Sequence, residues 1–178
     1  MNAPESAAEA RARVEAGRAE ARARRDADLR DRFGDTLPGR WISLLSLGST
    51  AVLALGTAAA VADPDAFITP FFVVTIAWFV IGCVVFMAAI VIAAGRSREC
   101  DIGIGGLFFL SGSAPPSVQR PLLGSLIAQV VIAVAGAAAH PFTPLAFGTL
   151  APMLGLALCG LWGAMYGSFP PRTGGDPV

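Results

Sequence analysis

Residues 121–171 contain no Asp, Glu, Lys or Arg and a single histidine, His140. Two long apolar runs lie within this stretch, 122–139 and 145–167, joined by His140-Pro141-Phe142-Thr143-Pro144. Each is close to the ~20 residues that a helix needs to cross a hydrocarbon core of ~30 Å. Two such runs joined by a proline-containing turn predict a transmembrane hairpin.

A second hairpin is predicted upstream. The run 41–62 is uncharged, Asp63-Pro64-Asp65-Ala66-Phe67 connects it to the next, and an uncharged run continues to residue 94. The composition agrees. Hydrophobic residues make up 54% of the chain and charged residues 15%, against ~25% charged in an average soluble domain. The expected fold class is therefore an all-α membrane protein, a four-helix transmembrane bundle of two hairpins with an N-terminal charged helix. The expected divisions are a charged arm (1–40), a first hairpin (41–94), a Gly-rich loop (95–120), a second hairpin (121–167) and a tail (168–178).

Charge sets the expected orientation. All thirteen basic residues are Arg, nine of them within the first forty positions, and the rest fall at 96, 98, 120 and 172. The two connections on the opposite side hold Asp63, Asp65 and His140 and no Arg. The positive-inside rule then places both termini and the central loop in the cytoplasm, and the use of Arg and Ala in place of Lys and Ile points to a GC-rich bacterial genome, so the expected membrane is the bacterial inner (plasma) membrane. Ala60-Val61-Ala62 resembles a signal-peptidase site, but the charged region before it and the apolar run are both too long for a signal peptide, so no cleavage is expected.

The arm, 5–33, reads as a solvated helix. Ser6-Ala7-Ala8-Glu9 fits a capping box, and acid–Arg pairs at i,i+4 recur at Glu9/Arg13, Glu20/Arg24, Asp26/Arg30 and Asp28/Arg32. Each such pair contributes about 0.2–0.5 kcal/mol. Ala7, Ala10, Val14, Ala21, Leu29 and Phe33 form only a thin apolar face, interrupted by Gly17. The arm holds eight acids beside its nine Arg, and that balance argues against a nucleic-acid partner. Gly34 to Arg40 carries turn chemistry, and Arg40-Trp41 marks a membrane boundary.

Packing signals are written in small residues. Ser46, Thr50, Ala54, Ala58 and Ala62 repeat every four positions in the first span; Ala151, Gly155, Cys159, Gly163 and Gly167 do so in the fourth. Such ladders let helices approach closely, and Gly155, Cys159, Gly163 and Gly167 are the expected helix-packing residues. Gly82, Ala88/Ala89 and Ala93/Ala94 are close-approach points in the second span, and Gly124/Ala128 in the third. Pro70 and Pro121 are expected at helix starts, and Pro152 as a kink. Trp162 and Tyr166 read as interfacial belt residues.

Two polar residues stand out. Gln129 lies mid-span with Ser125 one turn earlier. An amide in hydrocarbon needs partners, so both are expected as buried polar groups facing the bundle or a like chain. In the central loop, the apolar stretch 102–110 is too short to span and is expected to be interfacial or re-entrant. Its glycines lack the Lys-Ser/Thr of a phosphate loop.

No span carries an ionisable residue, and no HExxH or GxSxG motif is present. Proton relays and voltage sensors need the former. Cys83, Cys100 and Cys159 show no metal or disulfide spacing and read as small apolar fillers. No enzyme activity, metal or cofactor is expected.

The hairpins resemble each other, as Gly56-Thr57-Ala58-Ala59-Ala60…Asp63-Pro64…Thr69-Pro70 against Gly136-Ala137-Ala138-Ala139-His140-Pro141…Thr143-Pro144. A parallel duplication would produce that pattern. The pattern Phe108-Phe109-Leu110-Ser111-Gly112-Ser113-Ala114-Pro115, with Leu145-Ala146-Phe147-Gly148 and Phe169-Pro170-Pro171-Arg172, resembles small uncharacterised actinobacterial four-span integral membrane proteins. The resemblance covers the spans and central loop but not the arm, and implies no activity. The function expected is that of a structural or accessory subunit, its partners the lipid bilayer and either another protein or copies of itself met through transmembrane helices. The alternative is a small oligomeric transporter or channel with Gln129 and Ser125 facing the path.

Overall fold

The computed structural model describes residues 7–33 and 38–171. The chain divides into two units, residues 1–37 and 38–178. The first is one helix, α1 (Ala7–Phe33), exposed along most of its described length. Ser6 of the expected capping box and residues 34–37 of the expected turn lie outside the described residues, as do the side chains of Asp26, Arg30 and Arg32.

The second unit is a helical bundle. It comprises α2 (Arg40–Ala62), α3 (Pro64–Arg96), a short α4 (Ile104–Phe108), α5 (Pro116–Ala139), a 3-10 segment (Pro144–Leu150) and α6 (Pro152–Tyr166). Four spans, Arg40–Ala62, Pro64–Arg96, Pro116–Ala139 and Pro144–Tyr166, are long and apolar enough to cross a membrane. The protein is an all-α, multi-pass membrane protein whose four spans run up, down, up and down. Many large apolar side chains, among them Leu55, Val84, Val91 and Ile127, remain exposed on the single chain. In a bilayer they face lipid, which an aqueous surface would not tolerate in such number.

The helix starts follow from proline and caps. Asp63 ends α2 and begins α3, and its side chain accepts a hydrogen bond from the Ala66 N–H at 3.2 Å. Asp at the N-cap with Pro64 at the first helical position is a strong start signal. One residue therefore replaces the five-residue connection expected from sequence, and Pro70 lies inside α3 rather than in its first turn. At 33 residues α3 is about 50 Å long, longer than the hydrocarbon core, so it tilts or projects. Pro115-Pro116 likewise starts α5 five residues ahead of Pro121, which lies inside the helix.

The fourth span is not a kinked α-helix. A 3-10 segment begins at Pro144, and Pro152 opens α6. Proline suits a first helical position because that N–H has no partner there; the break therefore falls before Pro152. The second hairpin turns through Pro141–Thr143 with this segment, the first on Asp63 alone, so their tips are built differently.

The most extensive helix contact is α3 with α6, followed by α2 with α5. Near the Asp63/His140 end, Leu53, Ala60, Phe71, Leu145 and Ala151 form a core cluster. Near the Arg96 end, Ala89, Ala93, Leu107, Phe108 and Ala164 form another. In α3 the close-approach positions Gly82, Ala89 and Ala93 are buried, whereas Ala88 and Ala94 are exposed.

The first-span ladder does not hold as a face. Ser46 is buried, but Ala58 and Ala62 are exposed. A strict four-residue repeat drifts about 40° per step around a helix of 3.6 residues per turn. The buried face is instead Ile42, Ser46, Ser49, Leu53, Thr57 and Ala60, which mixes steps of three and four and so follows the 3.6-residue turn. The small-residue positions of the fourth span are all buried, because half of this span lies inside the bundle, more than of any other span.

Trp162 also departs from expectation. It is fully buried, and its indole N–H donates to the Pro38 carbonyl at 3.0 Å. Its partner is therefore the chain entering α2, not the membrane interface. Gly39 makes this junction possible. Its φ is 72°, and a Cβ there would lie 2.7 Å from Tyr166 and 2.9 Å from Trp162. The position needs glycine both for its left-handed backbone and for space.

Candidate functional site

The polar residues of α2 and α5 meet inside the bundle. Ser46, Ser49 and Thr50 share one face of α2 at i, i+3 and i+4; Ser125 and Gln129 share one face of α5 at i and i+4. Ser46 Oγ donates to Ser125 Oγ at 2.8 Å, and Ser125 Oγ donates to the Ser46 carbonyl at 2.8 Å. Thr50 Oγ1 contacts Ser125 Oγ. Ser49 Oγ and Thr50 Oγ1 also donate to the Ser46 carbonyl, at 2.9 and 2.8 Å. Gln129 Nε2 donates to Ser49 Oγ and Thr50 Oγ1, both at 3.0 Å.

The direction of these bonds orients the amide. Ser49 and Thr50 direct their protons to a carbonyl, so toward Gln129 they act as acceptors and take its NH₂ end. The amide oxygen turns the other way, toward α6. There it meets Gly155, where a Cβ would lie 2.5 Å from Oε1. Gln129 Oε1 has no hydrogen-bond partner and the residue is 1% exposed. Thr57 Oγ1, nearer the Asp63 end of α2, is a second buried oxygen without a partner.

Gln129 and Ser125 are thus brought together, and their partners are other helices of the same chain. The sequence singled out this pair but not Ser49. The available signal was the match between i, i+3, i+4 hydroxyls on α2 and the i, i+4 pair on α5. None of the five side chains is an acid or a base, so the cluster can hold helices together or bind a polar group, but it contains no activated nucleophile.

The α6 ladder is also internal. Gly163 lies against the Leu107 carbonyl, and Gly160, which the four-residue spacing passes over, lies beneath the Phe108 ring. Cys159 is fully buried beside them, and Gly167 meets Phe169 and the Gly163 carbonyl. α4 is therefore inserted against α6. Phe108 also stacks on Phe86 of α3, with centroids 4.8 Å apart. Gly160 lies six residues before the end of α6, so α4 sits about 9 Å along the helix from that end. Leu110, which ends the insertion, is fully buried with φ 54°.

Arg96 fastens this end. Its Nη1 donates to the Ala164 carbonyl and its Nη2 to the Gly167 carbonyl at 3.0 Å, and the guanidinium lies 5.8 Å from the Phe169 ring centroid. A cation on the last carbonyls of a helix satisfies them and complements its dipole. The loop and the tail are then joined: Ser168 N–H donates to the Ser113 carbonyl, and Asp101 N–H to the Pro170 carbonyl, both at 2.9 Å.

His140 ends α5 at the opposite side, where its carbonyl accepts from Thr143 Oγ1. No group of three or more His, Cys, Asp or Glu side chains is placed to share a metal among the described residues. Comparison of the chain with models of protein families, with curated proteins and with solved structures gave no match.

Proposed function

We propose that the chain is a structural or accessory subunit of a bacterial inner-membrane assembly, with both termini in the cytoplasm. The observation that carries this reading is the inward use of its polar span residues. Ser125 and Gln129 bond to Ser46, Ser49 and Thr50 of the same chain, so the cluster serves helix packing first. The distribution of Arg supports the orientation.

A partner would meet the outer faces of the helices, since the α6 ladder is covered by α3, α4 and α5. On α5, Gly124 is exposed with nothing within 4 Å of a Cβ placed there. The test is purification from the native membrane in mild detergent, with mass spectrometry of the co-purifying proteins. A reproducible partner that is lost from a Gly124→Leu variant supports the reading. A chain that runs alone, with no partner in either form, contradicts it.

A second reading, a small transporter or channel, draws on the unpartnered oxygen of Gln129. A path past it would have to open between α2, α5 and α6. Identical solute flux into liposomes for wild type and Gln129→Leu, across a panel of ions and small polar solutes, counts against it.

A further inference from the structure

α2 and α3 touch near their shared turn, where a Cβ on Gly56 would lie 3.4 Å from the Phe71 ring. Between that contact and the arginine-bearing end they leave a groove of about 820 Å³, floored by α6. Leu44, Gly48 and Val52 form one wall, Ile81 and Val85 the other, and Leu158 the floor. Ser49 is the one hydroxyl on its lining, and its proton already goes to the Ser46 carbonyl. The groove therefore suits hydrocarbon, the indole N–H groups of Trp41 and Trp78 being the other donors among its lining residues.

Its length selects the occupant. From Trp41 to Val52 the wall runs eleven residues along α2, about 16 Å. That is about half of a ~30 Å hydrocarbon core, the depth of one leaflet. A partner's spanning helix would need the full depth, but beyond Val52 and Trp78 the cleft narrows from about 820 to about 150 Å³, where Gly56 and Phe71 meet. At the mouth stands Arg40, exposed, one turn before Leu44 on the same helix face and without an ion-pair partner among the described residues. Side chains on a helix lean toward its N-terminus, which carries the guanidinium outward to the headgroup level beside Trp41.

We propose that this groove holds an acyl chain of an anionic diacyl phospholipid from the leaflet on the arginine-bearing side, with its phosphate at Arg40. The inference is independent of the subunit reading. The test is native mass spectrometry of the intact chain in mild detergent, incubated with equal amounts of phosphatidylglycerol and phosphatidylethanolamine. Wild type is expected to retain one lipid, with phosphatidylglycerol in excess. Gly48→Phe fills the groove from a position with nothing within 4 Å of its Cβ, and is expected to lose most of the bound lipid with an unchanged melting temperature. Ile81→Trp fills it from α3 and should do the same. Arg40→Gln should keep a lipid but lose the preference for phosphatidylglycerol.

Equal lipid retention by wild type and both filling variants overturns the proposal, as does a wild type that retains none. A dimer that Gly48→Phe dissociates overturns it too, because the groove would then be a contact between copies. An unchanged headgroup preference in Arg40→Gln overturns the assignment of the phosphate.

Discussion

The Gln129 amide oxygen occupies the space that a Cβ on residue 155 would enter, 2.5 Å away. The two residues are coupled: glycine at 155 is what allows the amide to turn its NH₂ end to α2. Gly155→Ala should displace the amide from Ser49 and Thr50 and destabilise the bundle by about 1–3 kcal/mol, as overpacking does. In a Gln129→Ala background the same change should cost less, with a coupling of at least about 0.5 kcal/mol. Reversible unfolding in detergent measures all three variants; additive effects would mean that the two side chains do not share this space.

Gly163 and Gly124 both belong to small-residue steps, yet they should respond in opposite ways. A Cβ on Gly163 would strike the Leu107 carbonyl, a backbone atom that cannot rotate away, whereas one on Gly124 would meet nothing. Gly163→Ala should lower the melting temperature and loosen α4. Gly124→Ala should leave it unchanged or raise stability by up to about 0.5–1 kcal/mol through helix propensity. Melting curves of the two variants, with hydrogen exchange at Leu107 and Phe109, test the contrast.

Arg96 holds two carbonyls at the end of α6, those of Ala164 and Gly167. Arg96→Ala should cost toward the lower end of the ~1.5–3 kcal/mol typical of charged hydrogen bonds, since the site is partly exposed. Arg96→Lys keeps the charge but not the fork, so it should recover only part of the loss. Faster amide exchange at Ser168 and Asp101 in both variants is the expected signature.

Phe142 is fully exposed at the second hairpin turn with φ 63°. A left-handed backbone costs a non-glycine residue about 1–2 kcal/mol, and the larger unfolded-state entropy of glycine offsets about 0.4–1 kcal/mol of any relief. Phe142→Gly should therefore raise stability, by up to about 1.5 kcal/mol. Phe142→Val should lower it, because branching at Cβ worsens the clash. Thermal unfolding of both variants gives the sign.

The spans were legible in the sequence because each apolar run is long and uncharged, and hydropathy needs no knowledge of neighbours. The Asp63-Pro64 start carries N-cap and N1 chemistry and Pro115-Pro116 carries N1 chemistry, but both lie in stretches whose Pro, Gly and polar residues fit a loop equally well. Direction was not legible. Spacing identified Gly155, Cys159, Gly163 and Gly167 as small, yet what covers them depends on where α4 inserts, and α4 is a five-residue helix with no periodic signal of its own. Trp162 misled for a related reason. Its indole N–H suits an interface or a buried carbonyl equally well, and only the path of the chain through Pro38 and Gly39 decides between them.

The α6 ladder lies in one chain's interior, with Gly155 against Gln129 and Gly163 against Leu107. The most direct test is Gly163→Leu, followed by melting temperature and particle size across a wide range of protein concentration. The expected result is a large loss of thermal stability that does not depend on concentration. A variant that melts like wild type but loses association with copies or partners would contradict it, and would place the ladder on an interface instead.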